Sequence, residues 1–204
     1  EKDEQAVITE AVVPQVARFD VSKVAPLKGQ PTDEHKQWMA YWHKMDLSHV
    51  FGFPLWEEEV FKLLQRNGSE LLSIFTYYSK SGNAGSASAW AAETMQQTEL
   101  VDLALDCGLA TREFPIARVQ NVFERADQTD DRKGGDNSLE FHEFLEAVVM
   151  LAFHRANPRF GLIGNEREAS IPLPGCLESL LQKNLLAKAK QDSLVKVKKM
   201  IEKE

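Results

Sequence analysis

The sequence predicts an all-α fold in which two helix–loop–helix units form the centre of the chain. Apolar residues recur at helical spacing over most of residues 36–158, which is typical of helices that share a core. Two pairs of segments also repeat one pattern. An apolar helix end is followed by a polar gap with glycine, then by an apolar residue, a glutamate four positions later and another apolar residue. The first pair covers residues 74–79 and 95–100, and the second covers residues 122–127 and 139–144.

Composition and charge narrow the class of protein. With 204 residues, 43% of them hydrophobic, the chain can bury the core of one domain with appendages, or of two small ones. Its net charge of -7 is the opposite of the basic excess that nucleic-acid binders use to neutralise phosphates. No stretch approaches the roughly 20 apolar residues of a membrane span, and residues 1–5 do not resemble a signal peptide. The charge and the lack of a long apolar run therefore predict no nucleic-acid or membrane partner. Because Cys107 and Cys176 lack CxxC spacing and are too few for a disulfide framework, we expect a reduced, cytoplasmic protein.

Residues 1–35 are predicted to form an extended N-terminal arm. Prolines and a glycine interrupt the segment, and its apolar residues follow neither a helical nor an alternating pattern. Two alternatives are open. Either the apolar side chains hold the arm against a surface, of this chain or of a partner, or the segment is a floppy terminus.

Residues 36–158 are predicted to form the helical domain. Thr32 or Asp33 can cap its first helix, and Pro54 is predicted to open the second. At Gly68 the pattern leaves two alternatives, a break that starts a third helix or one longer helix that tolerates the glycine.

The later helices carry similar start and stop signals. Thr94 and Gln97 fit a capping box for a fourth helix, which Gly108 ends. Pro115 is predicted to open a fifth helix, and residues 157–158 end a sixth, strongly apolar one.

The C-terminal part is predicted to be a loop over residues 159–176 and a basic helix over residues 177–204. One face of that helix carries leucines, and the segment contains seven lysines. The lysines form a solvated face, or they bind a partner with an acidic surface.

The repeated pattern matches the frame of an EF-hand pair, but the gaps do not match ion-binding loops. Such a loop has about 12 residues, with oxygen ligands along it and a bidentate glutamate at its last position. With Leu139 at the apolar eighth position, which pairs the two loops, the span from Asp127 to Glu143 exceeds that length by five. Anchored in the same way on Met95, the first gap is longer still, and it contains no acid between Ser79 and Ala92. We therefore expect a degenerate EF-hand pair with preceding helices, an extended N-terminal arm and a C-terminal helix.

Neither gap is expected to hold a metal ion. A hard cation needs anionic oxygens, which the first gap lacks, and Arg132 with Lys133 places two positive charges inside the second. We expect no other cofactor and no catalytic residue. His142 and His154 lack the spacing of a metal motif and are expected to be exposed or to cap helices. The calcium candidates of the second gap are Asp127, Asp131, Asp136 and Glu143.

Several stretches carry a resemblance to a known family; they are residues 53–61, 72–78, 106–109, 139–144 and 152–158, with 173–177 beyond them. On these residues the chain resembles EF-hand-pair proteins of ciliary and flagellar axonemes in protists and algae. The resemblance covers about residues 36–182. It implies a cytoskeletal location in a cilium or flagellum. Several of these proteins look like microtubule inner proteins, which bind tubulin in the lumen of doublet microtubules. The ion-binding pattern of the family carries over only to Asp127 and Glu143.

Two classes of function follow. The first is a non-enzymatic structural component of the axoneme, which binds tubulin or neighbouring filament proteins through the scaffold and the terminal extensions. The alternative is a calcium-responsive EF-hand regulator that binds a target helix. The long gaps and the lack of acids in the first one favour the structural protein, and an enzyme is the weakest hypothesis.

Overall fold

Helices make up most of the described chain, which comprises residues 16–25, 29, 31–81, 94–128, 135–164 and 169–192 of a computed structural model. The prediction of an all-α fold is confirmed, with one small sheet added. In chain order the elements are a 3-10 turn at Val21–Lys23, α1 at Asp33–Lys44, α2 at Glu57–Arg66, α3 at Gly68–Ser81, β1 at Met95–Gln96, α4 at Gln97–Asp106, α5 at Ile116–Asp127, β2 at Ser138–Leu139, α6 at Phe141–Ala156, α7 at Gly175–Leu180, a π-helical turn at Leu181–Leu185 and α8 at Leu186–Lys188. In the described part of the chain, no helix combines the length and apolarity that crossing a bilayer requires.

The two-residue strands β1 and β2 pair in an antiparallel way. Met95 lies opposite Leu139, and Gln96 lies opposite Ser138. These two apolar residues are the ones that the sequence aligned at the eighth position of each gap, and both side chains are fully buried. The bridge therefore joins the unit of α3 and α4 to the unit of α5 and α6.

Helix α6 lies at the centre of the core. Between Phe141 and Phe153 every residue except His142 is buried, so the helix is covered on nearly all sides. It packs against α1, α3, α5 and α7. The ring of Phe75 on α3 lies 5.5 Å from Phe141 and 5.4 Å from Phe144, between ring centroids.

The start of α2 differs from the prediction. The helix begins at Glu57 and not at Pro54, because residues 51–56 form turns that bury Trp56. The Trp56 indole N–H donates to the carbonyl oxygen of Phe51 at 2.9 Å, which fixes these turns before the helix starts. Of the two alternatives at Gly68, the structure has the break, since α2 ends at Arg66 and α3 begins at Gly68.

One predicted cap is present and another is displaced. Thr32 caps α1, and its hydroxyl oxygen accepts from the backbone N–H of His35 at 3.1 Å. The predicted box of Thr94 with Gln97 is wrong because β1 occupies the next residues. The box that forms pairs Gln96 with Glu99 instead.

The described part of the N-terminal arm contacts the helical domain of its own chain. Phe19 packs on Phe61, with ring centroids 5.3 Å apart. Arg18 donates two hydrogen bonds to the Glu57 carboxylate, at 2.8 and 3.0 Å, and its guanidinium lies 4.7 Å from the ring centre of Phe53. The Glu57 side chain is only 3% exposed, so Arg18 compensates a charge at the edge of the core.

The predicted C-terminal helix over residues 177–204 is wrong at residues 189–192. Helix α8 ends at Lys188, and Ala189 adopts an extended backbone. The physical reason is a set of hydrogen bonds to α3. The backbone N–H of Lys190 donates to the Tyr78 hydroxyl at 3.2 Å, and the backbone N–H of Asp192 donates to the Ser73 hydroxyl at 3.1 Å. Residues 193–204 lie outside the described residues.

We predict that Arg18→Ala lowers the free energy of unfolding by about 1–2 kcal/mol, because it leaves the buried Glu57 carboxylate without its charged donor. Chemical denaturation measures the change. The matched control is Lys62→Ala, which removes an exposed pair with Glu58 and is expected to cost less than about 0.5 kcal/mol. Equal losses in the two variants would contradict a structural role for the arm.

Candidate functional site in the loop between α5 and α6

Asp127 is the last residue of α5, and its side chain bonds to the backbone at the C-terminal end of the following loop. Its carboxylate is 7% exposed. One oxygen accepts from the backbone N–H of Asp136 and the other from that of Asn137, both at 3.1 Å. Both oxygens of this calcium candidate therefore bond to the protein backbone, and the two bonds close the loop.

The described end of the loop contains one residue with a left-handed backbone. Counted back from Glu143 as the twelfth position, the sixth position is Asn137, where the standard loop has glycine for a sharp turn. Asn137 has a φ of 62°, the left-handed conformation that asparagine tolerates better than most residues. The additional residues of the loop therefore fall between Asp127 and Gly135.

The bonds between Asp127 and the loop backbone also require glycine at position 135. A Cβ atom at this position would collide with the Asp127 carboxylate, so the backbone can approach that carboxylate only at glycine. The sequence analysis missed the roles of Gly135 and Asn137. Counting back from Glu143 to the glycine position of the standard loop would have found the turn at Asn137.

Asp136 accepts hydrogen bonds within the loop. Its carboxylate accepts from the backbone N–H of Ser138 at 3.0 Å and from the Ser138 hydroxyl at 2.9 Å. The hydroxyl bond is the larger cause that holds the pKa of Asp136 below its usual value. Asp131, a further predicted candidate, lies outside the described residues.

Glu143 and Glu99 occupy equivalent places in the two units. Each is the third residue of its helix and accepts from the backbone N–H of the residue before the helix. For Glu143 this donor is Glu140 at 2.9 Å, and for Glu99 it is Gln96 at 2.8 Å. Both glutamates are buried, at 7% and 3% exposure. The last position of each predicted loop thus serves as a helix cap.

The pKa of Glu143 is raised to about 7, and burial is the largest cause. The negative charges of Glu140, Asp127 and Asp136 contribute to the rise, while the hydrogen bond from the Glu140 backbone opposes it.

Among the described residues, one cluster has the composition of a metal site; it consists of Glu140, His142 and Glu143. One ligand atom from each lies within 4.8 Å of the others, and His142 Nδ1 is 3.5 Å from a Glu140 oxygen. The set does not fit calcium well. Calcium takes six to eight oxygen ligands, whereas one member here is an imidazole and a Glu143 oxygen already caps α6.

The two histidines of the sequence analysis are both half-buried. His142 lies beside Glu140, while His154 lies near the end of α6 and far from the loop in sequence. Burial is the largest cause that lowers the pKa of His154 to about 4, and the positive charges of Arg125 and Arg118 add to it. The expectation that His154 is exposed or caps a helix is therefore wrong.

We predict that the stability of the protein falls as pH rises from about 4.5 to about 7, in part through Glu143. The folded state keeps this proton to a higher pH than the unfolded state, so the stabilisation is complete below pH 4.5 and is lost through pH 7. Glu143→Gln stays neutral and keeps an acceptor for the Glu140 backbone. It should remove about 2–4 kcal/mol of the pH-dependent loss, measured by denaturation at several pH values.

The matched control for this prediction is Glu59→Gln, at an exposed residue of α2. This variant should follow the pH profile of the unmodified chain. A profile for Glu143→Gln that also matches the unmodified chain would contradict the raised pKa.

Comparison with known proteins gives no family for this chain. No protein-family model, no curated protein and no solved structure matches it. The functional assignment therefore rests on the residues and contacts described above.

Proposed function

We propose that this chain is a non-enzymatic structural component of the ciliary axoneme. In this proposal it binds tubulin or neighbouring filament proteins through an EF-hand-like scaffold and through its terminal extensions. The proposal depends on a scaffold of the EF-hand type, on the loss of its switching function, and on the axonemal resemblance of the sequence.

The register of the two units supports a pair of the EF-hand type. The apolar eighth positions, Met95 and Leu139, pair across the two loops. Asn137 makes the sharp turn at position six, and Glu99 and Glu143 stand at position twelve. A pair that keeps this register can pack its four helices in the manner of an EF-hand pair without an ion.

The observation that carries the proposal is the position of the C-terminal segment, residues 175–192. It packs on α6 through α7, and the Asn184 amide donates to the carbonyl oxygen of Cys107 at the end of α4 at 3.0 Å. Beyond α8 it bonds to Tyr78 and Ser73 of α3. Four buried leucines face the protein, each contributing about 1.5–3 kcal/mol by burial; they are Leu177, Leu180, Leu181 and Leu185.

This placement argues against a regulator that opens toward a target helix. A calcium-responsive pair exposes an apolar groove when its helices open. Here a helix of the same chain already covers α6, and the buried Asn184 and the Tyr78 hydroxyl fix it with hydrogen bonds. Displacing it would expose the leucines and break these bonds, so a closed scaffold is favoured over a switch.

The axonemal part of the proposal comes from the sequence. The stretches over residues 53–61 and 139–158 resemble EF-hand-pair proteins of axonemes. A filament component also needs surfaces that reach its neighbours, and extended terminal segments cover a large area with few residues. In this proposal, residues 1–15 and 193–204 take this role.

We expect a tagged copy in a ciliated cell to localise along the axoneme and to remain after detergent extraction. Deletion of residues 1–15 should weaken this incorporation and leave the melting temperature unchanged, because the contacts of Arg18 and Phe19 are kept. Diffuse cytosolic signal of the full chain would overturn the axonemal assignment. A large fall in melting temperature on deletion would place the arm in the core instead.

We expect calorimetry and amide NMR to detect no calcium binding at about millimolar ion, because the loop carboxylates already accept backbone hydrogen bonds. A saturable heat with one ion per chain would favour the regulator instead. In that case Asp127→Asn should abolish the heat, which would assign the ion to the second loop.

A further inference from the structure

A groove of about 530 Å³ opens between α5, the end of α6 and the turns at residues 49–51 and 160–162. We call it the α5–α6 groove. It lies at the opposite end of α6 from the acidic loop, since it contains His154 and not Glu143. The charged and titratable residues that line it are His49, Arg118, Glu124, Arg125 and His154.

The groove carries positive charge on a chain whose net charge is -7. Arg118 is held in place, because it donates to the carbonyl oxygen of Pro158 at 2.5 Å and lies 5.3 Å from the ring centre of Phe114. Arg125 is exposed, and its guanidinium forms no ion pair with any described residue. Glu124 is the one acid among the residues that line the groove.

His154 lies half-buried among these charges. Its ring contacts Phe153, at 5.2 Å between centroids, and it has no hydrogen-bond partner among the described residues. Burial and the two arginines lower its pKa, and burial also lowers that of His49, whose Nε2 lies 3.3 Å from the sulfur of Met150. An anion placed beside the arginines would favour the protonated imidazole and give it a partner.

Apolar side chains form one rim of the groove. Phe51 is 39% exposed and packs on Phe160, with ring centroids 4.9 Å apart. Leu162 is 56% exposed, and the neighbouring Ile163 is 99% exposed. Large apolar side chains that are exposed to solvent and lie next to two arginines are typical of a surface that a partner protein covers.

We propose that the α5–α6 groove binds an acidic peptide segment of a partner protein, with a carboxylate at Arg118 and Arg125 and an apolar side chain against Phe51. Charge complementarity selects the anion, and the apolar rim selects a peptide over a nucleic acid. A nucleic acid would need more cations than the two arginines and would meet Glu124.

This inference is independent of the axonemal assignment, although an acidic filament protein would satisfy both. Peptide binding is measured with the purified chain, and localisation is measured in cells. Either result can fail while the other holds, so the two proposals are tested separately.

The probe is an unlabelled peptide with one phenylalanine flanked by glutamates, acetylated and amidated at its ends. Amide NMR titrations run to about 5 mM peptide, which detects millimolar affinity. We expect shifts at Phe51, Arg125 and His154, and an upward movement of the His154 pKa on saturation. We also expect affinity to fall as salt is raised. One control peptide carries lysine in place of glutamate, and a second carries glycine in place of phenylalanine.

Arg125→Glu is the variant that tests the groove, because Arg125 is exposed and its loss breaks no described contact. It should weaken binding at least about tenfold. The matched control is Lys183→Glu, which makes the same change of charge at an exposed residue outside the groove and should change affinity less than about twofold.

Three outcomes would overturn the proposal. The first is no binding of the acidic peptide over the whole titration. The second is equal binding of the lysine peptide, which would mean that the arginines do not select the ligand. The third is equal weakening by Arg125→Glu and Lys183→Glu, which would indicate attraction by total charge and no groove. Loss of binding with the glycine peptide would support the role of the apolar rim.

Discussion

The antiparallel bridge between Met95 and Leu139 is the contact that aligns the rest of the helical domain. It joins two units that are far apart in sequence, and both side chains are fully buried. The helix after each strand then starts at a fixed place, capped by Glu99 in one unit and by Glu143 in the other. Because α6 begins at this bridge, its position fixes the surface on which α1, α3, α5 and α7 pack. A shift of one residue would turn the buried strand residues to the opposite face.

The protein uses buried carboxylates as acceptors for its own backbone. Asp127 accepts from a loop, Glu99 and Glu143 accept at helix starts, and Glu146 accepts from the backbone of Asp46 at 2.6 Å. Buried acids are costly unless they are paired or hydrogen-bonded, so these bonds explain how they persist in the core. Acidic residues in a loop of this chain therefore do not by themselves indicate an ion-binding site, because their carboxylate oxygens also accept hydrogen bonds that stabilise turns.

Much of the helical order could be predicted because it depends on short-range signals. Thr32, Gly68 and Asn157 mark helix boundaries through caps and turns that a single sequence displays. The errors occur where a distant residue decides the local structure. The end of α8 depends on Tyr78, and the late start of α2 depends on the burial of Trp56. In the candidate site, counting back from Glu143 could have located the turn at Asn137, but only the structure revealed that Asp127 bonds to the loop backbone.

The placement of residues 175–192 over helices made earlier has a consequence for synthesis in the cell. A ribosome releases the chain from its N-terminal end, so α3, α4 and α6 emerge before the segment that covers them. During that interval the face of α6 that later packs on α7 lacks this covering helix. Transiently exposed apolar surface is the usual target of chaperones and the usual start of aggregation. The core can therefore be completed only after α7 and the helical turns that follow it have left the ribosome.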